Sequence, residues 1–199
     1  MNLVARIQGI ILKPKEEWQK IKAEPATVQD IFKSYLMILA AIPAVAQFLG
    51  YWLVGFSTPL TRAVRLGFGT SLSQAVVSYL LTLASVFIAV LIINALAPTF
   101  ASRPDQVSAL KLAVYSLTPY FVAGILNLIP ALGLLVILAG LYSLYLLYLG
   151  FQSGLMETPQ DKVIGYFVVT VVVMIVLNLV VGVIVGSIFS LRAFYGGGF

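Results

Sequence analysis

The 199-residue chain contains no cysteine and no histidine. Without cysteine there are no disulfides, thiolate zinc sites, iron–sulfur clusters or cysteine nucleophiles. Without histidine there is no imidazole haem ligand, and the commonest general base at neutral pH is missing. Charge is scarce as well. Only 10% of the residues are Asp, Glu, Lys or Arg, against about a quarter in ordinary soluble domains. Hydrophobic residues make up 61%. A soluble fold of this length has too little interior to hide so much apolar surface, so a bilayer is expected to serve as the apolar solvent.

The few charges punctuate the chain. Uncharged runs cover 34–61, 66–102, 112–156 and 163–191. About 20 apolar residues cross a bilayer. Three runs hold one span each; the 112–156 run is long enough for two and breaks at Asn127-Leu128-Ile129-Pro130-Ala131-Leu132-Gly133, where Pro and Gly favour a turn. The expected fold is an all-α polytopic transmembrane helix bundle of about five spans, near 30–56, 72–97, 107–128, 131–155 and 162–190. The third and fourth spans form a tight hairpin, with a re-entrant pair as the alternative there. Residues 1–29 are expected to be an amphipathic interfacial segment, 30–191 the membrane domain and 192–199 a flexible tail.

The charges are also unevenly distributed. The net charge is +5, from 12 Lys+Arg and 7 Asp+Glu. With five spans, Arg6, Lys13, Lys15, Lys20, Lys22, Lys33, Arg103, Lys111 and Lys162 fall on one side; Arg62, Arg65 and Arg192 fall on the other. The excess of Lys and Arg in cytoplasmic segments then predicts a cytoplasmic N-terminus and an external C-terminus. The first thirty residues have no continuous apolar core of the kind a signal peptide needs. Leu3, Ile7, Ile10 and Ile11 recur at helical spacing, and Trp18 and Ile21 continue a stripe after Pro14. This predicts helices lying on the leaflet, with Lys13, Lys15, Trp18, Lys20 and Lys22 against anionic lipid headgroups. There is no basic soluble face for nucleic acid.

Three Thr/Ser-x-x-Asp patterns, Thr27 with Asp30, Ser102 with Asp105 and Thr158 with Asp161, read as capping boxes that start helices. Pro104 and Pro159 suit first turns. A second reading places these aspartates at a functional mouth. No expected span has an ionisable group near its centre, where charges usually mark ion paths or catalytic sites. No pair of buried carboxylates, activated serine or metal-ligand set is evident, so neither an enzyme nor a cofactor is expected. Gln47, Gln74, Asn94, Asn127 and Asn178 read as inter-helix hydrogen-bonding groups or as the lining of a polar cavity. Gly150-x-x-x-Gly154 and Gly182-x-x-x-Gly186 have helix-packing spacing.

Tyrosines are the most distinctive feature. Tyr142, Tyr145 and Tyr148 stand at spacing three and form a slanting ridge on a helix. Tyr115 and Tyr120 flank Pro119, which should kink the third span and free a carbonyl that Thr118 or a tyrosine hydroxyl can satisfy. These residues, with Asn127, Pro130, Gly150 and Tyr166, are candidates for packing or for a groove that takes a lipid or apolar ligand.

Over 115–166 the chain resembles the bacterial branch of the Yip1 domain family. The likeness rests on Tyr115-Ser116-Leu117-Thr118-Pro119-Tyr120, Asn127-Leu128-Ile129-Pro130, the block from Ala139 through the three tyrosines to Gly150, Thr158-Pro159-Gln160-Asp161-Lys162, and Gly165-Tyr166. Leu12-Lys13-Pro14-Lys15-Glu16-Glu17-Trp18 is similar to the start of many bacterial members. The resemblance implies five membrane helices and a cytoplasmic N-terminus. Eukaryotic members associate with prenylated Rab-type GTPases; their Asp-Leu-Tyr-Gly-Pro signature is absent here, so that role is not implied. The expected function is a non-enzymatic membrane protein that binds lipids or membrane proteins, itself included, and organises the membrane. The alternative is a small transporter or channel with a site at the Pro119/Asn127/Pro130 helix breaks.

Overall fold

The computed structural model describes residues 2–58, 61–129 and 132–195, with side chains except at 56–64 and 188–195. Pro130 and the end of the tail, 196–199, lie outside the described residues. Two short helices, α1 (Leu3–Leu12) and α2 (Pro14–Ala23), precede five helices long and apolar enough to cross a membrane. These spans are Val28–Val54, Phe68–Phe100, Gln106–Leu128, Gly133–Gln152 and Gln160–Ser187. The all-α polytopic bundle expected from the uncharged runs is therefore present. The last helix continues to Tyr195, into the tail expected from 192. A small antiparallel hairpin, β1 (Phe56–Thr58) and β2 (Thr61–Val64), links the first two spans. Its Phe, Thr and Val residues favour extended structure, a signal too short to stand out beside the apolar runs.

The third span is the most buried of the five and the fifth the least. The third packs against the first, second and fourth, whereas the fifth packs chiefly against the second and fourth. With no hydrophobic force between helices in lipid, such packing relies on close approach and internal hydrogen bonds. Gly124 supplies the close approach: a Cβ built on it would lie 2.5 Å from Pro43 Cβ on the first span. The first span contains π-helical turns at Phe32–Leu36 and Gly50–Val54. The first turn places Tyr35 and Leu36 in the interior while Lys33 and Ser34 face outward. Gly182 and Gly186 have no neighbour within 4 Å of an added Cβ and face outward.

The N-terminal helices fold into a hairpin docked against the third and fourth spans. Asn2 caps α1 by accepting from the Ala5 N–H at 3.2 Å. Pro14 opens α2, Glu16 and Glu17 occupy its first turn, and Lys20 and Lys22 its last, each suited to the local helix dipole.

Gly124→Leu is expected to force the first and third spans apart and cost about 1–3 kcal/mol, typical of an overpacked site. Gly182→Leu should change stability by less than about 0.5 kcal/mol. Denaturant titration of both variants in detergent micelles checks the difference.

Candidate functional site

Pro119 has no N–H to meet the carbonyl four residues earlier, that of Tyr115. The span accordingly breaks into two helices, Gln106–Ser116 and Thr118–Ala123. Thr118 Oγ1 donates to the Tyr115 carbonyl at 2.7 Å. Its single proton is thereby used, so the Tyr35 hydroxyl, 2.9 Å away, donates to Thr118. Tyr35 also stands edge-on to Tyr115, with ring centroids 4.8 Å apart. The lost backbone bond is replaced inside the bundle by two side chains from two spans.

The Tyr115 ring continues this column into the N-terminal hairpin. Arg6 lies over it, Cζ to centroid 5.6 Å. The Arg6 guanidinium is buried and pairs with buried Glu17 at 2.6 Å and with Glu24. Lys20 holds the second Glu17 oxygen at 2.9 Å. Lys111 Nζ donates to the carbonyls of Ile21 at 2.7 Å and Glu24 at 2.5 Å. These carbonyls end α2, where intrahelical partners run out and the dipole is negative. Further pins run to the fourth span: Trp18 Nε1 donates to the Leu146 carbonyl at 3.1 Å, and the Tyr142 hydroxyl donates to the Ile11 carbonyl at 2.7 Å. Trp18 fits because Gly150 has no side chain; a Cβ there would lie 2.8 Å from the indole.

Trp18 does not take the headgroup position expected of it. It is 1% exposed, seated in the protein and not against headgroups, because the carbonyl of Leu146 and the gap at Gly150 accept its polar and apolar parts. Lys13, Lys15, Lys20 and Lys22 remain exposed on the hairpin. Arg6 and Glu17 were legible only as charges misplaced on apolar stripes: Arg6 falls beside Leu3, Ile7 and Ile10, and Glu17 beside Trp18 and Ile21.

Two of the three capping patterns behave differently from expectation. Thr27 and Asp30 form a capping box. Asp105, however, is itself the N-cap of the third span and accepts from the Ser108 N–H at 2.8 Å. The residue before a proline avoids helical geometry, so Pro104 delays the start past Ser102. Ser102 and Thr158 instead meet each other, 2.8 Å apart and buried, and join the two loops at this end. Asp161 lies in the first turn of the fifth helix. Burial raises the Asp105 carboxyl, but hydrogen bonds from Ser108 and Val107 and nearby Arg103 outweigh it and hold it below the ordinary value.

The tyrosines do not line one groove. Tyr115 belongs to the column and Tyr142 to the hairpin. Tyr166 is fully buried where the second and fifth spans meet, donating to the Ile93 carbonyl and stacking on Phe100 at 4.7 Å. Tyr148 packs edge-on to Phe167 at 5.5 Å, and Tyr145 is 46% exposed. Tyr120 lines a cavity. That cavity, about 380 Å³, opens between the third and fifth spans and is walled by the second and fourth. Its wall includes Ser85, Ser116, Tyr120, Ser143, Met174 and Asn178, with no charged residue. Ser116, Ser143 and Asn178 each donate to a carbonyl of their own helix, at 2.6, 3.1 and 2.8 Å. The serine protons and one of the two Asn178 amide protons are thereby used, and the cleft offers a largely apolar surface. Asn127 is not part of it; its carbonyl packs against Gly50. Among the described residues, no cluster of three or more carboxylates could hold a metal ion.

The Yip1 domain matches residues 9–196, most of the hairpin and all five spans. This chain belongs to the Yip1 domain family. It is 30% identical over 155 residues to the inner membrane protein YohC of Escherichia coli K12, covering 76% of this chain and 80% of that protein. It has the same identity and coverage with YohC of Escherichia coli O6:H1. No solved structure matches. Within this Yip1 domain, the matched stretch takes in Trp18, Glu17 and the whole break at Pro119, while Arg6 lies just ahead of it. The chain is thus a multi-pass membrane protein of the bacterial inner-membrane type.

Arg6→Met leaves Glu17 buried without its strongest partner and is expected to cost about 3–5 kcal/mol. Arg6→Met with Glu17→Met should recover most of that loss, as unfolding of the three proteins in detergent would show. Because the Asp105 carboxyl is lowered on folding, its cap contributes fully at neutral pH and fades as acid protonates it, below about pH 4. Asp105→Asn retains an acceptor without the charge, so its melting temperature should fall less steeply than wild type in that acid range.

Proposed function

We propose that this Yip1 domain protein is a non-enzymatic lipid-binding protein of the bacterial inner membrane, with a cytoplasmic N-terminus, an external C-terminus and one apolar chain held in the cleft between its third and fifth spans. The cleft carries the proposal. Its 380 Å³ lies at the small end of ligand sites, which run from about 300 to 1,000 Å³. That space suits a single acyl chain or compact apolar molecule. It is open to the side, through the gap the fifth span leaves, and has no charge that would favour an ion. The orientation rests on nine basic residues against three. Binding in this cleft would let the protein organise nearby lipids and membrane proteins. A transporter site at Pro119 and Asn127 is less favoured, since Pro119 is buried in packing.

Gly140 lines the cleft, and a Cβ on it would still clear Tyr120 by 3.9 Å. Gly140→Leu should therefore fill the cavity without disturbing the fold. On release from nanodiscs of mixed lipid into a native mass spectrometer, the wild type is expected to retain a lipid in the cleft. Gly140→Leu should lose it and Gly182→Leu should keep it. Equal retention in all three proteins, or none in the wild type, would remove the cleft from the account.

A further inference from the structure

A second feature lies where the first span meets the second. Val28, Gln29, Phe32 and Lys33 on one wall face Leu83, Ala84 and Phe87 on the other, forming an open groove. Lys33 lies inside the first span, five residues past Val28, and its side chain is exposed. A lysine on the lipid face of a span is costly unless its ammonium finds water or an anion. The nearest acid in sequence, Asp30, makes no ion pair with it. Both the backbone N–H and the hydroxyl of Thr27 bond to Asp30 Oδ2, at 3.3 and 2.6 Å. No carboxylate lies within ion-pair distance of Lys33 among the described residues. Leu83, Ala84 and Phe87 give the groove an apolar wall on the second span.

The charge and the apolar wall together match one molecule: a cation near the end of the bundle, a polar amide beside it at Gln29, and apolar surface on the second span. The π-helical turn at Phe32–Leu36 underlies this arrangement. It widens the helix where Tyr35 must turn inward to reach Thr118, and it leaves Phe32 and Lys33 on the groove. Such turns are often found at functional positions. We propose that this groove binds one anionic phospholipid, with its phosphate at Lys33 and Gln29 and an acyl chain laid along Leu83 and Phe87. The residues are separate from those of the third–fifth span cleft, and the two sites select differently: the groove by headgroup charge, the cleft by an apolar chain.

The test uses the full-length protein in nanodiscs holding equal phosphatidylglycerol and phosphatidylcholine of the same chain length, followed by native mass spectrometry. Wild type is expected to keep one phosphatidylglycerol in preference to phosphatidylcholine. Lys33→Gln should lower that preference about tenfold, the scale of one charge-assisted hydrogen bond, and Lys33→Arg should retain it. Lys162→Gln removes an exposed cation from the first turn of the fifth helix and should leave it unchanged. Circular dichroism and detergent unfolding confirm that each variant is folded. The proposal is overturned if wild type shows no preference, if Lys33→Gln keeps it, or if Lys162→Gln loses it equally, which would mean diffuse surface attraction. Retention of the lipid lost in Gly140→Leu should not respond to Lys33→Gln, so the two sites fail or stand separately.

Discussion

The carbonyl of Tyr115 lies in the most buried helix of the bundle and, because of Pro119, lacks its ordinary helical partner four residues on. In lipid there is no water to repair such a loss, and an unsatisfied group costs several kcal/mol. The remedy is local and it organises much else. Thr118 takes the carbonyl, Tyr35 takes Thr118, and the first span must wind through a π-helical turn that puts Tyr35 in place. The same requirement draws the first and third spans into contact, where Gly124 opposite Pro43 allows the approach. Tyr115, fixed by this arrangement, presents its ring to Arg6. The break in one helix thus connects the membrane interior to the hairpin at its end.

That hairpin is held by interactions of very different kinds. Trp18 and Ile21 contribute apolar burial; Arg6, Glu17, Glu24 and Lys111 contribute charge. A buried ion pair adds little net stability compared with apolar residues, because desolvation offsets the attraction, yet removing one partner is severe. The Arg6 network is accordingly better understood as fixing where the hairpin sits than as strengthening the fold. The fifth span makes the contrasting arrangement. It keeps to the second and fourth spans, leaves the third uncovered on one side, and so opens the cleft.

The membrane architecture was legible in the sequence because hydrocarbon thickness imposes a length on every uncharged run. The five expected spans differ from the observed ones by only a few residues at most ends. Thr118 as partner of the freed carbonyl was legible too, from the chemistry of proline. The placement of Trp18 was not. An amphipathic helix with basic residues looks the same whether its apolar face meets lipid or protein, and the deciding features, Gly150 and the Leu146 carbonyl, lie far away in sequence. The tyrosines were misleading for a similar reason: spacing three along a helix turns successive side chains to different neighbours, so Tyr142, Tyr145 and Tyr148 reach the hairpin, the outside and the fifth span in turn. The cleft depends on small hydroxyl residues such as Ser116 and Ser143, which leave no distinctive pattern in an apolar sequence.

The docked hairpin is the point on which this account depends most, and Trp18 reports on it directly. With Trp52 changed to Phe, Trp18 is the chain's sole tryptophan. Its fluorescence can be measured in vesicles whose lipids carry bromine at graded depths, with acrylamide added to the aqueous phase. A blue-shifted emission that neither quencher reduces is the predicted result, since the indole is enclosed by Leu112, Leu146 and Gly150. Strong quenching by shallow bromine or by acrylamide would place Trp18 at the interface and contradict the docking of the hairpin.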